Sequence, residues 1–239
     1  AVSLWPFSAT SMSAMNAVRE IDTTNMLASF DAGHNGAEAE EAVAAQGMTI
    51  GNFPQSIALS SVGGWIATRA SGQFSSTYGN VEDIVYSIEA VMPDGSVVTF
   101  GTAPRASAGP DLRHLLLGSE GTMGVITGVT FSLRRQAEKQ ASQTFYAPDM
   151  VTGLEAQRQI VQQGWAVPVM RLYDEVESVR HAGDHHRDGC GVLMLVHEGP
   201  GVRVDLELAE VRRIALEAGL EEAPAAVVEA TNPYGHAAL

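Results

Sequence analysis

Cysteine is all but missing. Cys190 is the only one in 239 residues, so the chain forms no internal disulfide and suits a reducing compartment, the cytoplasm. Positive charge is scarce too: 14 Lys and Arg face 28 Asp and Glu, a net charge of -14. That balance argues against DNA or RNA as a partner. Any phosphate must be gripped locally, by backbone N–H groups and a few arginines. No apolar run reaches the roughly 18–20 residues needed to span a bilayer. The opening AVSLWPFSATSM has neither the basic region and long apolar stretch of a secretory signal nor an initiator methionine. With the ending NPYGHAAL, this suggests a fragment of a longer protein. G-x-G-x-x-G after a strand and G-x-x-x-x-G-K-[ST] are both absent, so neither a Rossmann site nor a P-loop is supported. There is no internal repeat and no low-complexity tract.

What is present supports a buried core, since 45% of residues are hydrophobic. The pattern predicts two short strands within 17–33, around a polar turn at Asp22–Asn25. A helix is predicted over 36–46, with Gly47 as its stop. Residues 51–80 are rich in Gly, Ser and Thr and read as a functional loop with a short helix inside. Ile84, Tyr86, Ile88, Ala90 and Met92 alternate with polar and smaller residues, then Pro93-Asp94-Gly95 turns the chain into Val97–Phe100, a β-hairpin. Asp111 caps a short helix over 111–117. In a strand over 125–133, Val125, Thr127, Val129, Phe131 and Leu133 are expected on one face. A polar stretch at 134–141, RRQAEKQ, marks a domain boundary. Strands at 144–147, 166–173 and 191–197 then alternate with helices at 149–163, 174–181 and 202–218. The fold class is therefore α+β, with one domain over 1–135 and a second over 136–239.

Two segments carry the candidate chemistry, SSVGGWIATRASG (60–72) and GSEGTMGVI (118–126). Gly63, Gly64, Gly121 and Gly124 lack a Cβ, so their backbone N–H groups can approach a ligand. Ser60, Ser61, Thr68, Ser71 and Thr122 add short hydrogen-bonding groups. The combination suits a pyrophosphate or the polar edge of a flat ring. Each segment alone reads more simply as a turn-rich loop. Elsewhere, His181, His185 and His186 match no established zinc spacing, and a solvated loop is the plainer reading. Cys190 opens an apolar strand and reads as a buried, inert thiol. His114 orients the following loop or lies on the surface. His34 has no functional account.

The run QSIALSSVGGWIATRASG, YGNVEDIV, PDG and GPDLRHLLLGSEGTMGVI, in this order, resembles the FAD-binding domain of the vanillyl-alcohol-oxidase family, the PCMH-type flavin fold. TRASG, YGN-x-ED, and GPD-x-x-H with GSEGT resemble most the alkyldihydroxyacetonephosphate-synthase-like branch. The resemblance spans about 17–220 and is strongest over 48–135. It implies a partial PCMH-type FAD-binding domain followed by part of an α+β cap or substrate domain, with FAD held non-covalently.

The resemblance also implies site residues. Gln55 to Ser61, including Ser56, Ser60 and Ser61, would run along the flavin and its phosphates with Gly63 and Gly64. Thr68, Arg69, Ala70 and Ser71 would sit beside the isoalloxazine or ribityl chain. Glu120, Gly121, Thr122, Met123, Gly124, Val125 and Ile126 would contact the adenine half. Gln55 stands where the family usually has an acid. Arg171, in VMRLYDE, matches a cap arginine facing a phosphate-bearing substrate; read alone, it would pair with Asp174 or Glu175. The family's first phosphate loop belongs upstream of residue 17, where SLWPFSATSM stands instead. Its catalytic tyrosine and histidine-rich segment belong beyond the end of the chain, and Tyr234 is in the wrong motif.

Three activities follow as expectations. The first is the synthase-like transfer, in which a fatty alcohol replaces an acyl group without net oxidation. The second is oxidation of a 2-hydroxy acid or similar alcohol. The third is a truncated, inactive flavin-fold fragment. The expected partners are a small-molecule or lipid-type substrate and a second copy of the chain, with no nucleic acid and no transmembrane segment.

Overall fold

The Asp22 carboxylate accepts from the amides of Thr24 and Asn25, each at 2.9 Å. This turn folds β1 (Val18–Asp22) back onto β2 (Leu27–Asp31). The computed structural model describes residues 11–101, 103 and 107–231; SLWPFSAT and Tyr234 lie outside them. After β2 come α1 (Gly36–Ala44), capped by the Asn35 side chain, and β3 (Met48–Thr49). The loop at 51–80 holds α2 (Val62–Thr68) and α3 (Ser75–Tyr78). Next come α4 (Val81–Ile84), β4 (Val85–Val91), β5 (Val97–Phe100), β6 (Val125–Ser132) and β7 (Arg134–Arg135).

Two compact units result, one of residues 1–72 and 79–135, the other of 73–78 and 136–239. A single dividing point does not account for residues 73–78, which pack in the second unit. In the first, five antiparallel strands lie in the order β1-β2-β6-β4-β5. Phe30, Trp65 and Phe131 form the centre of its core, with Trp65 and Phe131 rings 5.9 Å apart. The Trp65 indole N–H is satisfied by Ser60 Oγ at 2.8 Å. The buried Glu40 carboxylate takes the Thr49 hydroxyl and the Ile50 amide, tying α1 to the start of the 51–60 loop.

Two expectations of strand parity need correction. Glu89 pairs with Gly128 but Ala90 with Ile126, leaving Thr127 as the extra residue of a bulge. The bulge flips the alternation, so Ile126 is buried while Val125 is exposed. A second bulge, between Val85 and Ser87, buries Val85 and leaves Tyr86 only half-buried. The polar stretch at 134–141, read as a domain boundary, contains the division between the units and is itself paired. Arg134 and Arg135 pair with Thr49 and Met48, and the next strand starts at Lys139.

The second unit runs β8 (Lys139–Ala147), α5 (Met150–Gln162), β9 (Val169–Tyr173), α6 (Glu175–Ala182), β10 (Gly191–Gly199), α7 (Gly201–Glu217), β11 (Glu221–Glu222) and α8 (Ala225–Thr231). Its strands are antiparallel in the order β11-β8-β10-β9. Helices α5 and α7 cover one face through Ile160, Val211 and Ile214, packed on Phe145, Leu193 and Leu195. Among the described residues no helix is long and apolar enough to cross a membrane.

Candidate functional site

The two motif stretches identified from sequence, with residues 73–117 between them, form one joint in the first unit. Helix α2 starts under a cap: Ser61 Oγ accepts from the Gly64 amide at 3.2 Å. It ends at Arg69, whose φ of +52° breaks the helix. The loop that follows Leu117 docks on that end. The Gly118 amide donates to Ile66 O at 2.9 Å and the Glu120 amide to Ala67 O at 3.0 Å. These carbonyls belong to the last turn of α2, where Ile66 O also takes the Arg69 amide at 3.3 Å and Glu120 supplies the partner of Ala67 O. Thr68 uses its hydroxyl inward, on Gly64 O at 2.8 Å.

The loop at 51–60 lies along the same helix. Ser60 holds Trp65, and a Cβ on Gly72 would fall 2.4 Å from the Phe53 amide nitrogen. Thus three stretches, 52–61, 65–72 and 118–122, share one joint. Gln55, Ser56, Thr68, Arg69, Ser71, Glu120, Gly121, Thr122 and Met123 are exposed around it, and Ala70 is half-buried.

Not every expected residue serves as the sequence suggests. The Gly63 amide is spent on Ala32 O at 2.8 Å, and Gly64's on the Ser61 cap. A Cβ on Gly63 would meet Ala32 Cβ at 2.6 Å, so close packing of α2 on the sheet requires the glycine. Gly124 lies against Val91 O, and Ile126 is a core side chain. Free donors sit instead in the loop after the joint. Among the described residues the amides of Gly121 and Met123 meet no acceptor.

Sequence reasoning missed two buried polar groups at this joint. Asn52 is fully buried, yet neither amide atom has a partner among the described residues. Ser119 Oγ, within the docked loop, is likewise buried and unpaired. Orphaned groups of this kind are costly and call for a hydrogen-bonding ligand or a water. No motif marks them; only burial does. With the spare amides, they fit a polar, multiply hydrogen-bonding ligand such as a flavin dinucleotide.

The approach to the loop is fixed by ion pairing. Asp111 caps the short helix Leu112–Leu115 and binds Arg113, whose Nη2 lies 2.6 Å away. Arg113 also bonds the Val85 carbonyl. Its hydrogen bond holds the Asp111 carboxyl down at about 2.

In the second unit, Arg171 donates to the Gln73 side chain and lies 3.4 Å from Tyr173 Oη. It does not pair with Asp174 or Glu175. Asp174 caps α6 through the Glu177 amide, and Glu175 accepts from the Gly189 amide. Cys190 is half-buried rather than buried. Among the described residues no His, Cys, Asp and Glu cluster could hold a metal. His181 stacks on Tyr173 at 4.2 Å, and His186 contacts Asp188 at 3.1 Å.

Comparison with known proteins agrees with this geometry. Residues 9–101 match a family described as FAD binding domain. The chain is 39% identical over 188 residues to an uncharacterised FAD-linked oxidoreductase, YgcU, of Escherichia coli (strain K12), covering 78% of this chain and 39% of that protein. It is 34% identical over 168 residues to alkyldihydroxyacetonephosphate synthase of Caenorhabditis elegans, covering 70% and 28%. A solved alkyldihydroxyacetonephosphate synthase structure superposes with a TM-score of 0.79 at 27% identity, over 89% of this chain and 43% of that one. The chain spans less than half the length of these relatives. Residues 9–101 thus belong to a PCMH-type FAD-binding domain, and FAD is its cofactor.

Proposed function

We propose that this chain is the flavin-bearing part of an enzyme of the alkyldihydroxyacetonephosphate-synthase-like branch. In this reading FAD is held non-covalently and the substrate carries a phosphate or carboxylate. The observation that carries it is the docking of the 118–122 loop onto the last turn of α2, which gathers TRASG and GSEGT around spare donors. The flavin supplies the redox chemistry when bound. Gln55, Ser56, Ser60, Ser61 and Thr68–Ser71 line it, with Glu120–Met123 closing over the dinucleotide. Residues 1–135 are its FAD-binding domain and 136–239 part of a cap over a small-molecule or lipid-type substrate. Arg171 binds that substrate's anionic group through its guanidinium fork. The protein works in the cytoplasm, as a homodimer.

The likeness to YgcU, an FAD-linked oxidoreductase, favours a second reading, hydride transfer to flavin from a 2-hydroxy acid or related alcohol. The first experiment is the visible spectrum of the purified chain with added FAD. A chain that stays colourless ends both readings. Anaerobic addition of D-2-hydroxy acids to the full-length enzyme then separates them. Bleaching supports the oxidoreductase; exchange of acyl for alkoxy on an acyl-dihydroxyacetone phosphate, without bleaching, supports the synthase. Arg171→Ala should raise KM or abolish turnover while FAD stays bound; unchanged kinetics would remove Arg171 from the site.

A further inference from the structure

TRASG, GPDLRH and GSEGT meet at one pair of side chains. Arg69 ends α2 in the left-handed region, a conformation that costs a residue with a side chain about 1–2 kcal/mol. Its Nη2 lies 3.0 Å from Nδ1 of His114. A guanidinium only donates, so Nδ1 accepts and the ring proton sits on Nε2. That nitrogen points to Asp111, whose Oδ2 is 3.9 Å away and is itself held by Arg113. The Arg69 stem crosses Gly118, where a Cβ would fall 3.2 Å from Arg69 Cδ. The guanidinium is therefore fixed along its stem and at its tip.

No carboxylate among the described residues neutralises it. Most described arginines pair with a carboxylate, but among the described residues Arg69 forms no ion pair. It is exposed, on the same joint as the spare amides of Gly121 and Met123. An immobilised, unpaired arginine beside free backbone donors is an anion receptor.

We propose that His114 is a positioning residue, holding Arg69 ready to receive phosphate oxygens at the rim of the flavin site. The location rests on the flavin reading above; the receptor itself does not. Inorganic pyrophosphate is titrated into the full chain, with the Arg69 Nε–H resonance followed by nuclear magnetic resonance. Wild type and His114→Asn should saturate alike, because the Asn Oδ1 takes the place of Nδ1. His114→Gln, whose acceptor reaches too far, and His114→Ala should bind about tenfold more weakly. His114→Ala binding as tightly as wild type, or Gln rescuing as well as Asn, overturns the proposal. So does a wild-type chain with no saturable response. The ring nitrogens of His114 give an independent readout: Nδ1 bare and Nε2 protonated is expected, and the opposite tautomer refutes the contact.

A chain that binds pyrophosphate yet stays colourless with FAD would refute the flavin reading alone. The phosphate's source is read in the same variants. His114→Ala losing FAD affinity but not riboflavin affinity assigns it to the dinucleotide. Unchanged FAD affinity, with pyrophosphate binding lost, assigns it to a separate phosphate-bearing molecule.

Discussion

Gly63 and Gly64 are adjacent, both sit in the first turn of α2, and alanine should act on them very unequally. At Gly63 the added Cβ lies 2.6 Å from Ala32 Cβ and 2.7 Å from Ala32 O, against about 3.5–4.0 Å at optimal contact. Neither neighbour can swing away, since one is backbone and the other is a Cβ fixed to it. Relief requires α2 to shift by roughly an ångström, which strains the Gly63 N–H···O Ala32 and Val62 N–H···O His34 bonds, now 2.8 and 2.9 Å. Overpacking costs about 1–3 kcal/mol, and weakening a buried hydrogen bond adds about 1 kcal/mol. Helix propensity returns at most about 1 kcal/mol. The net expectation is a loss of about 1–3 kcal/mol. At Gly64 the Cβ meets only Ser61 Oγ, at 3.2 Å, so propensity is nearly unopposed and the variant should lie within about 1 kcal/mol of wild type. Urea unfolding read through Trp65, in a chain with Trp5 and Trp165 replaced by Phe, isolates this unit. A lower midpoint at constant m for Gly63→Ala alone is expected. If both variants unfold together, α2 is not packed on Ala32 and the joint described above is wrong.

Acid should loosen the approach to the 118–122 loop. The Asp111 carboxyl is held at about 2 by Arg113, below its unfolded value of about 3.9. The stabilisation is complete above about pH 4 and is lost as pH falls through about 2. Asp111→Asn should narrow the thermal-stability loss between pH 5 and 2; an identical loss in both proteins would refute the pairing. In the second unit, His197 Nδ1 and Glu207 Oε1 lie 2.7 Å apart, both buried. Glu207→Leu leaves the imidazole unpartnered and should cost about 1–3 kcal/mol in urea unfolding.

Local signals carried most of the elements. Pro93-Asp94-Gly95 announced its hairpin, Asp149 and Asp174 cap the helices expected over 149–163 and 174–181, and the helix expected over 202–218 is α7. What escaped was set by pairing across the chain. A bulge such as Thr127 depends on the partner strand, so parity read along one strand fails there. Arg134–Arg135 has no strand pattern of its own, and Met48–Thr49 supplies its partner from far along the chain. At the candidate site, glycine content marked two segments that the fold brings together, but the Gly63 amide is spent on Ala32 O rather than left for a ligand. Asn52 and the Arg69–His114 contact carry no local pattern.

The six residues from Gln73 to Tyr78 interrupt one unit and complete the other. Gln73 accepts from Arg171, Tyr78 donates to Glu198, and Thr77 donates to Ala166 O. The polypeptide thus crosses between the units three times, like a thread stitched through two cloths. Cutting it once, at Arg135, cannot yield two intact pieces. The downstream half would lose the strap that holds its arginine, and any transplant of that half into another scaffold must carry these six residues along.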